Sequence, residues 1–410
     1  MGDLFKVKHG FAFDGKYFAS EGEYVLLSPG NFHDSGGFKL KDKEKYFTGD
    51  IPEDYVLSEG DLLVAMTEQA EGLLGSSALI PSSNRFLHNQ RLGLITDWKA
   101  TEIDLRFLYY LFNTREVRTQ IRASATGTKV RHTSPTRIGE VRVVIPRVET
   151  QRKIASVLSA YDDLIENNTR RIALLEEMAQ SLYREWFVEY RFPGHDKARF
   201  VDSPLGKIPE GWRAVNLFDV ADVAYGFPYK SKLFSTDPDG DPVIRIRDIL
   251  YHRSGTFTTE AAGHKYNVTN GDILVGMDGD FHMCRWAGGH AVLNQRVARL
   301  RTLGELHQYV VFHAAKAPIE HFNATIVGTT VAHLGDKHLR EIRVAMPSAE
   351  VCHQAEVEFG PMFDEEINLR RRTELLRATR DLLLPKLMSG QLDVEDLDID
   401  TGETLAGVEA

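Results

Sequence analysis

Two cysteines in 410 residues, Cys284 and Cys352, are too few for a disulfide framework. That excludes the small cross-linked secreted scaffolds and suits a reducing compartment. No apolar run approaches the roughly 18 residues that span a bilayer. The opening MGDLFKVKHGFAF lacks a basic stretch followed by an apolar one, so it does not read as a signal peptide. Lys6 stands where a myristoylation signal wants Ser or Thr. A cytoplasmic protein without a membrane partner is expected. Catalytic signatures are missing too: no phosphate-binding G-x-x-x-x-G-K-[ST], no G-x-G-x-x-G after a strand, no Asn-Pro-Pro-aromatic tetrad, no H-E-x-x-H and no paired C-x-x-C. His282, Cys284 and His290 lie close together, but their mixed spacing reads as ordinary packing and not as a metal site. A chain of this length with no catalytic constellation reads as a binder, with neither cofactor nor metal of its own.

The hydrophobic content of 42% and aromatic content of 10% fit a globular protein, and 410 residues suggest two or more domains. Net charge is −10, which at first sight argues against a nucleic-acid partner. The distribution argues otherwise. Residues 391–410 hold seven acids (Asp393, Glu395, Asp396, Asp398, Asp400, Glu403, Glu409) and no Lys or Arg, so the rest of the chain carries only −3. This acidic tail is expected to be a disordered end. Residues 111–142 hold seven bases (Arg115, Arg118, Arg122, Lys129, Arg131, Arg137, Arg142) against Glu116 and Glu140. Local positive charge sets phosphate affinity; a solvated helix face is the equally weighted alternative.

The chain repeats itself. GFAFDGKYF (10–18) matches GFPYKSKLF (226–234), EGDLLVAM (59–66) matches NGDILVGM (270–277), and HNQRLGLI (88–95) matches LNQRVARL (293–300). GTKVRHTSPTRIGEVRVVIP (127–146) matches GTTVAHLGDKHLREIRVAMP (328–347). The offset shrinks slowly through the four blocks, from 216 to 211, 205 and 201. So long a period makes each copy a domain and not a solenoid unit. EGDLLVAM and NGDILVGM read as a turn then a buried strand, and VRVVIP and IRVAMP as strands stopped by proline. DLRFLYYLF (104–112) and QYVVFHAA (308–315) read as helices. Each copy is therefore a mixed domain, α/β in the broad sense (α+β).

A long helix follows each copy. Ile154, Leu158, Tyr161, Ile165, Asn168, Ile172, Leu175, Ala179, Leu182 and Trp186 alternate four and three apart, a heptad seam with no Gly or Pro inside it. At ~1.5 Å per residue such a helix runs on the order of 50–60 Å. Asn168 either fixes register or faces water. After the second copy, Met362, Leu369, Leu376 and Leu383 stand seven apart, flanked by Phe363, Ile367 and Leu387, with Gly360-Pro361 expected to break or kink the first turns. Two seams in one chain can satisfy each other as an intramolecular pair. The expected organisation is a first domain over 1–147, a long helix over 148–190, a Pro/Gly-rich linker over 191–216, a second domain over 217–348, a second long helix over 349–390, and the tail over 391–410.

This order resembles the DNA-specificity subunits of type I restriction–modification enzymes along nearly the whole chain. GFPYKSKLF, NGDILVGM, LNQRV and GTTVAHL are similar to recurring blocks of that family's target-recognition domains. TRDLLLPKLMSGQLDV (379–394) and SLYREWFVEYRFP (181–193) resemble the segments that end its two helices. The resemblance implies two tandemly duplicated target-recognition domains, each reading one half of an asymmetric bipartite site in double-stranded DNA. The long helices would pair as an antiparallel coiled coil that sets the spacing and docks two methyltransferase subunits. Those partners would bind S-adenosylmethionine and methylate adenine. Restriction subunits would use ATP and Mg²⁺ for translocation and cleavage, so the chain itself would be non-catalytic.

Candidate DNA contacts are polar residues at equivalent places in the two copies: Thr128, Lys129, Arg131 and His132 in the first, Thr329, Thr330 and His333 in the second. Gly127 and Gly328 would let backbone approach phosphate. Asn89, Gln90, Arg91, Asn294, Gln295 and Arg296 suit amide–adenine or Arg–guanine contacts. Lys230, Lys232, Arg245 and Arg247 are further phosphate candidates. Shared residues equally suit a shared turn, while base readers should differ between domains that read different sequences. By that reasoning Lys129 and Arg131, replaced by Thr330 and Ala332, are the better readers. The first copy starts without a counterpart of IPEGWRAVN (208–216), so it lacks an opening strand. The competing function is a coiled-coil scaffold without sequence-specific DNA readout.

Overall fold

The computed structural model of the protein describes residues 1–41, 43–69, 72–304, 306–326 and 332–402. The chain divides into two units, Met1–Asp163 with Arg377–Ala410, and Leu164–Leu376. The boundaries fall inside both long helices, so each unit combines one copy of the duplication with a stretch of each helix.

In the first unit, β1 (Lys6–His9), β2 (Leu62–Ala65), β3 (Ser77–Leu79) and β4 (Leu92–Thr96) form an antiparallel sheet in the order β1-β4-β2-β3. Gly60, at φ +83°, and Asp61, whose Oδ2 accepts the Ser58 N–H at 2.8 Å, make the turn into β2. All four β2 residues are buried because alternate side chains serve two cores. Leu62 and Val64 pack with Phe107 and Leu111. Leu63 and Ala65 pack with Val25, Leu27 and Phe32. The first core is covered by α1 (Leu105–Phe112) and α2 (Arg115–Ala123), whose starts are capped by the side chains of Asp104 and Thr114. The first long helix, α3 (Val148–Tyr183), begins here. Buried Gln151 ties it down by donating to the carbonyls of Glu102 (2.9 Å) and Pro146 (2.8 Å).

The second unit repeats the plan. Its segments are β5 (Arg213–Asn216), β6 (Ala221–Tyr225), β7 (Ile273–Gly276), β8 (Met283–Arg285), β9 (Val297–Thr302), α4 (Gln308–Thr325), β10 (Arg343–Met346) and the second long helix α5 (Ala349–Met388). The antiparallel order β6-β9-β7-β8 matches the first sheet strand for strand. β7 again splits its side chains, Ile273 and Val275 to one core and Leu274 to another. The two units differ in one pairing. β10 pairs antiparallel with β5, whereas residues 141–146 carry no strand and Val144 is 95% exposed. VRVVIP therefore does not form the expected strand: the Gln120 side chain takes both backbone groups of Arg142, at 3.0 and 2.8 Å, and Val141 O accepts from the Met1 amino group at 2.7 Å.

The segment read as a linker is also more than that. Residues 200–203 and 206–209 form a hairpin, β5 follows, and Phe192, Ile208 and Trp212 are buried in the core of the second unit. Spaced aromatics supply a core here without any periodicity. The acidic tail departs from expectation over its described part, 391–402. Val394 is 3% exposed beside Leu387, Lys153 Nζ donates to the carbonyls of Glu395 (2.7 Å) and Leu397 (2.8 Å), and Ser156 Oγ donates to Asp400 O (2.6 Å). Basic and hydroxyl groups of α3 thus hold it. Glu403 and Glu409 lie outside the described residues.

The seam of α3 is the buried face. Ile154, Leu158, Asn168, Ile172 and Ala179 are buried, as is Trp186 in the turn that follows the helix, and Tyr161, Ile165, Leu175 and Leu182 are half-buried. In α5 the buried stripe includes Leu369 and half-buried Met362, Leu376 and Leu383, alternating with Phe359, Glu366, Thr373 and Arg380. The stripe is thus a full heptad, half of it polar or aromatic. Of the expected break or kink, the break does not occur, since α5 runs through Gly360-Pro361 as one helix; Val357, whose carbonyl Pro361 leaves without a donor, is exposed to water. Within the second unit Phe187 meets Phe359 while Glu176 meets Arg370 at 2.6 Å, so the helices run antiparallel. Within the first, Asp162 meets Arg380 at 2.5 Å, and Leu158 and Ile154 share a core with Leu387.

A buried charge cluster closes the second unit. Arg285 of β8 and Glu366 of α5 pair at 2.6 Å with side chains 4% and 3% exposed. The Tyr309 hydroxyl donates to Glu366 at 2.5 Å, and Arg370 Nε at 2.9 Å. Burial alone would push the Glu366 carboxyl up, but Arg285 and Arg370 outweigh it and hold it below its ordinary value. Glu366→Gln removes the counter-charge of a desolvated guanidinium and is expected to cost about 3–5 kcal/mol in denaturant unfolding. Glu166→Gln, in an exposed pair with Arg170, should change stability by less than about 1 kcal/mol. Equal, small effects of the two would show that the cluster does not hold the unit.

Candidate nucleic-acid interface

In each copy the two candidate loops meet on one methionine. The Met66 N–H donates to Arg91 O at 2.9 Å, and Met66 O accepts the Thr133 N–H at 2.9 Å. In the second copy the Met277 N–H donates to Arg296 O at 3.0 Å, and Met277 O accepts the Leu334 N–H at 2.8 Å. A residue just past the central strand thus carries the Asn-Gln-Arg loop on one side and the histidine-bearing loop on the other.

In the first copy Arg131–His132 pair antiparallel with Thr67–Glu68. Thr126 and His132 exchange both backbone hydrogen bonds, at 3.0 and 2.8 Å, so residues 127–131 form a hairpin tip. Thr128, Lys129, Arg131 and His132 are exposed there. Gly127 has φ +97°, and a Cβ on it would lie 2.0 Å from Val130 O. Its glycine is required by the tip itself, a different reason from approach to phosphate. Arg137 Nη1 braces the base of the hairpin by donating to Thr126 Oγ1 at 3.1 Å.

Asn89 and Asn294 are half-buried turn builders. Asn89 Oδ1 accepts the Arg91 N–H at 3.4 Å, and Asn294 Oδ1 the Gln295 N–H at 2.9 Å. Gly10 and Gly226 pack so closely on these asparagines that a Cβ would lie 2.0 and 1.9 Å from their carbonyl oxygens. That contact explains why both copies share a Gly-Phe pair with an Asn-Gln-Arg loop. Gln90, Arg91, Gln295 and Arg296 remain exposed. His88 supports the first of these loops from below, its Nε2 donating to Leu92 O at 2.9 Å. Burial pushes its pKa down to about 4, so the ring is neutral at physiological pH with the proton on Nε2.

In the second copy Asp278 follows Met277. Its Oδ1 lies 2.6 Å from His333 Nδ1 and its Oδ2 3.1 Å from Arg296 Nε. Thr329, Thr330 and Gly328 lie outside the described residues. Of the other basic candidates, Lys230 pairs with Glu260 at 3.6 Å, and half-buried Arg245 with Asp248 at 3.1 Å. The Asn294 N–H donates to Ile244 O at 3.1 Å, which sets the Arg245 segment against the Asn-Gln-Arg loop. Lys232 and Arg247 are exposed and take no part in the hydrogen bonds around Met277.

The basic run 111–142 divides in two. Arg118 donates to the carbonyls of Leu74 and Asp34, each at 3.0 Å, and to that of Gly72. Arg122 pairs with buried Glu68 at 3.1 Å. Burial pushes Glu68 up, but the N–H groups of Leu74 and Gly72 and the Arg122 guanidinium hold it below its ordinary value. These two arginines build the domain. Arg115, Lys129, Arg131 and Arg142 stay exposed. Sequence reasoning passed over Thr67 and Asp278, equivalent positions 211 apart at the centre of the loop junction. Their difference between otherwise matching blocks was the available signal.

A duplicated mixed domain whose matching loop junctions carry exposed polar side chains, each copy followed by a long helix, defines a two-headed recognition protein. The family model described as "Type I restriction modification DNA specificity domain" matches residues 1–177 and 209–377, one match per copy. The chain belongs to this family. It is 25% identical over 305 residues to the type I restriction enzyme MjaIX specificity subunit of Methanocaldococcus jannaschii, covering 71% of this chain and 70% of that one. It is 30% identical over 202 residues to the EcoBI specificity subunit of Escherichia coli, covering 48% and 43%. The crystal structure of the type I restriction–modification S subunit from M. genitalium shares the fold with a TM-score of 0.58 at 16% identity, over 94% of both chains.

The neutral buried His88 has a measurable consequence. Its folded pKa, about 4, lies below the unfolded value near 6.5, so the unfolded chain takes the proton first and stability is lost as pH falls between them. Between pH 7.5 and 5.5 the wild type should lose about 1 kcal/mol more than His88→Gln, which keeps a donor toward Leu92 O. Parallel pH profiles of unfolding for the two proteins would contradict a neutral His88.

Proposed function

We propose that each recognition domain contacts one half of a bipartite site in double-stranded DNA through the side chains displayed around Met66 and Met277. The carrying observation is the loop junction itself. Both copies expose a glutamine, an arginine and a histidine on it, while Lys129, Arg131 and Thr67 differ in residue type from their counterparts Thr330, Ala332 and Asp278. Lys129 and Arg131 at the hairpin tip would meet phosphate or base edges of one half-site, and Arg296 and His333 those of the other.

The helix pair would hold the two readers and dock two methyltransferase subunits. Leu164, Leu174, Met178, Val357, Leu375 and Leu382 are exposed on the long helices away from the seam, which supports a protein-binding role for their outer faces. S-adenosylmethionine, ATP and Mg²⁺ would be bound by the methyltransferase and restriction subunits, and this chain would supply recognition without catalysis. A scaffold role accounts for the helices but leaves the matched loop junctions without a use.

Charge reversal in the hairpin tests the assignment. Lys129→Glu with Arg131→Glu should weaken binding to the first half-site only and reduce the slope of log affinity against log salt by about 2. Base preferences in the second half-site should remain. Unchanged binding would remove the hairpin from the interface, and a wild-type chain with no sequence preference would favour the scaffold.

A further inference from the structure

We infer that Asp278 is a positioning residue that makes Arg296 a guanine reader in the second half-site, a device with no counterpart among the described residues of the first copy; this rests on the DNA-reading function proposed above. Asp278 Oδ2 holds Arg296 Nε at 3.1 Å. The Arg296 side chain is 56% exposed and the Asp278 side chain 24%. A guanidinium held at Nε keeps both terminal nitrogens free as a fixed fork, the geometry that matches O6 and N7 of guanine in the major groove. The carboxylate is itself held in place. Met277, just before it, is hydrogen-bonded on both sides, to Arg296 O and from the Leu334 N–H. Asp278 forms an antiparallel bridge with His333, whose Nδ1 occupies the other carboxylate oxygen at 2.6 Å. Each oxygen therefore serves one partner, and Arg296 does not compete for its support.

The first copy keeps the arginine and the histidine, Arg91 and His132, but has Thr67 in place of Asp278, bridged to His132 in the same way. The neighbouring carboxylate, Glu68, is committed to Arg122 and to the N–H groups of Leu74 and Gly72. Among the described residues no carboxylate supports Arg91 in this way. A carboxylate on a DNA-facing surface also repels phosphate. Asp278 is thus expected to lower affinity for random duplex while raising discrimination, a combination that damage to the fold would not produce when it is removed.

The test is selection from a randomised duplex library by the full-length chain, with the bound sequences read out. The wild type should require guanine at one position of one half-site. Asp278→Thr, which installs the residue of the first copy, should lower that preference by on the order of tenfold or more. It should leave the other positions intact and bind random duplex at least as well. Asp278→Asn, which keeps the side-chain shape, should weaken the same preference and guards against a backbone effect of Thr. Thr67→Asp should introduce a guanine preference in the other half-site. An intact two-part motif with guanine preference unchanged in both Asp278 variants would overturn the inference while leaving DNA reading in place. Absence of any motif in the wild type would overturn the reading on which it rests.

Discussion

The seam between the long helices is the constraint on which both units depend. α3 and α5 each bury one heptad stripe, and packing of that stripe, more than helix propensity, is what stabilises helices of this kind. Because the unit boundary cuts both helices, the first unit draws its core from residues 1–163 and from residues after 376. Leu387 and Val394 share that core with Phe5, Phe107 and Leu158. The first unit is therefore completed by residues that follow the whole second unit in sequence. Carboxylates on the seam connect each domain to the helices. Tyr110 donates to Asp162 at 2.6 Å, Tyr309 to Glu366 at 2.5 Å, and arginines neutralise both acids.

The duplication separates two tasks that one sequence comparison would blur. Close approaches such as Gly10 on Asn89 and Gly226 on Asn294 leave no freedom of residue type, so they recur in both copies. Hairpin-tip and junction side chains carry no such burden. Lys129, Arg131 and Thr67 can differ from their counterparts without disturbing the turn. This division lets one scaffold present two chemistries, a cationic tip in the first copy and a charge-compensated Arg296–Asp278–His333 group in the second.

Much of this was legible in the sequence. The four repeated blocks gave the duplication, EGDLLVAM and NGDILVGM gave the central strands, and the ten seam positions from Ile154 to Trp186, the last just past α3, are all buried or half-buried. The α5 seam was half-read because Glu366, Thr373 and Arg380 are polar, and a hydrophobic period passes over polar residues that find buried partners. Asp162 and Glu366 lie 204 apart, between the offsets of the last two repeat blocks, so the duplication itself carried that signal. The basic excess overstated the available charge, since Arg118 and Arg122 bind carbonyls and Glu68 inside the domain. The described part of the tail, 391–402, departs from the expected disorder for a comparable reason. Its anchors, Lys153 and Ser156, stand more than two hundred residues earlier, beyond the reach of local composition.

One measurement bears most directly on the central claim that each copy reads one half of a DNA site. The chain is co-expressed with methyltransferase subunits, and adenine methylation is mapped with the wild type and with residues 1–146 exchanged for the corresponding segment of a relative. A bipartite motif that requires this chain, and that changes in one half only after the exchange, is the predicted result. A stable assembly with no motif, or a motif indifferent to the exchange, would contradict it.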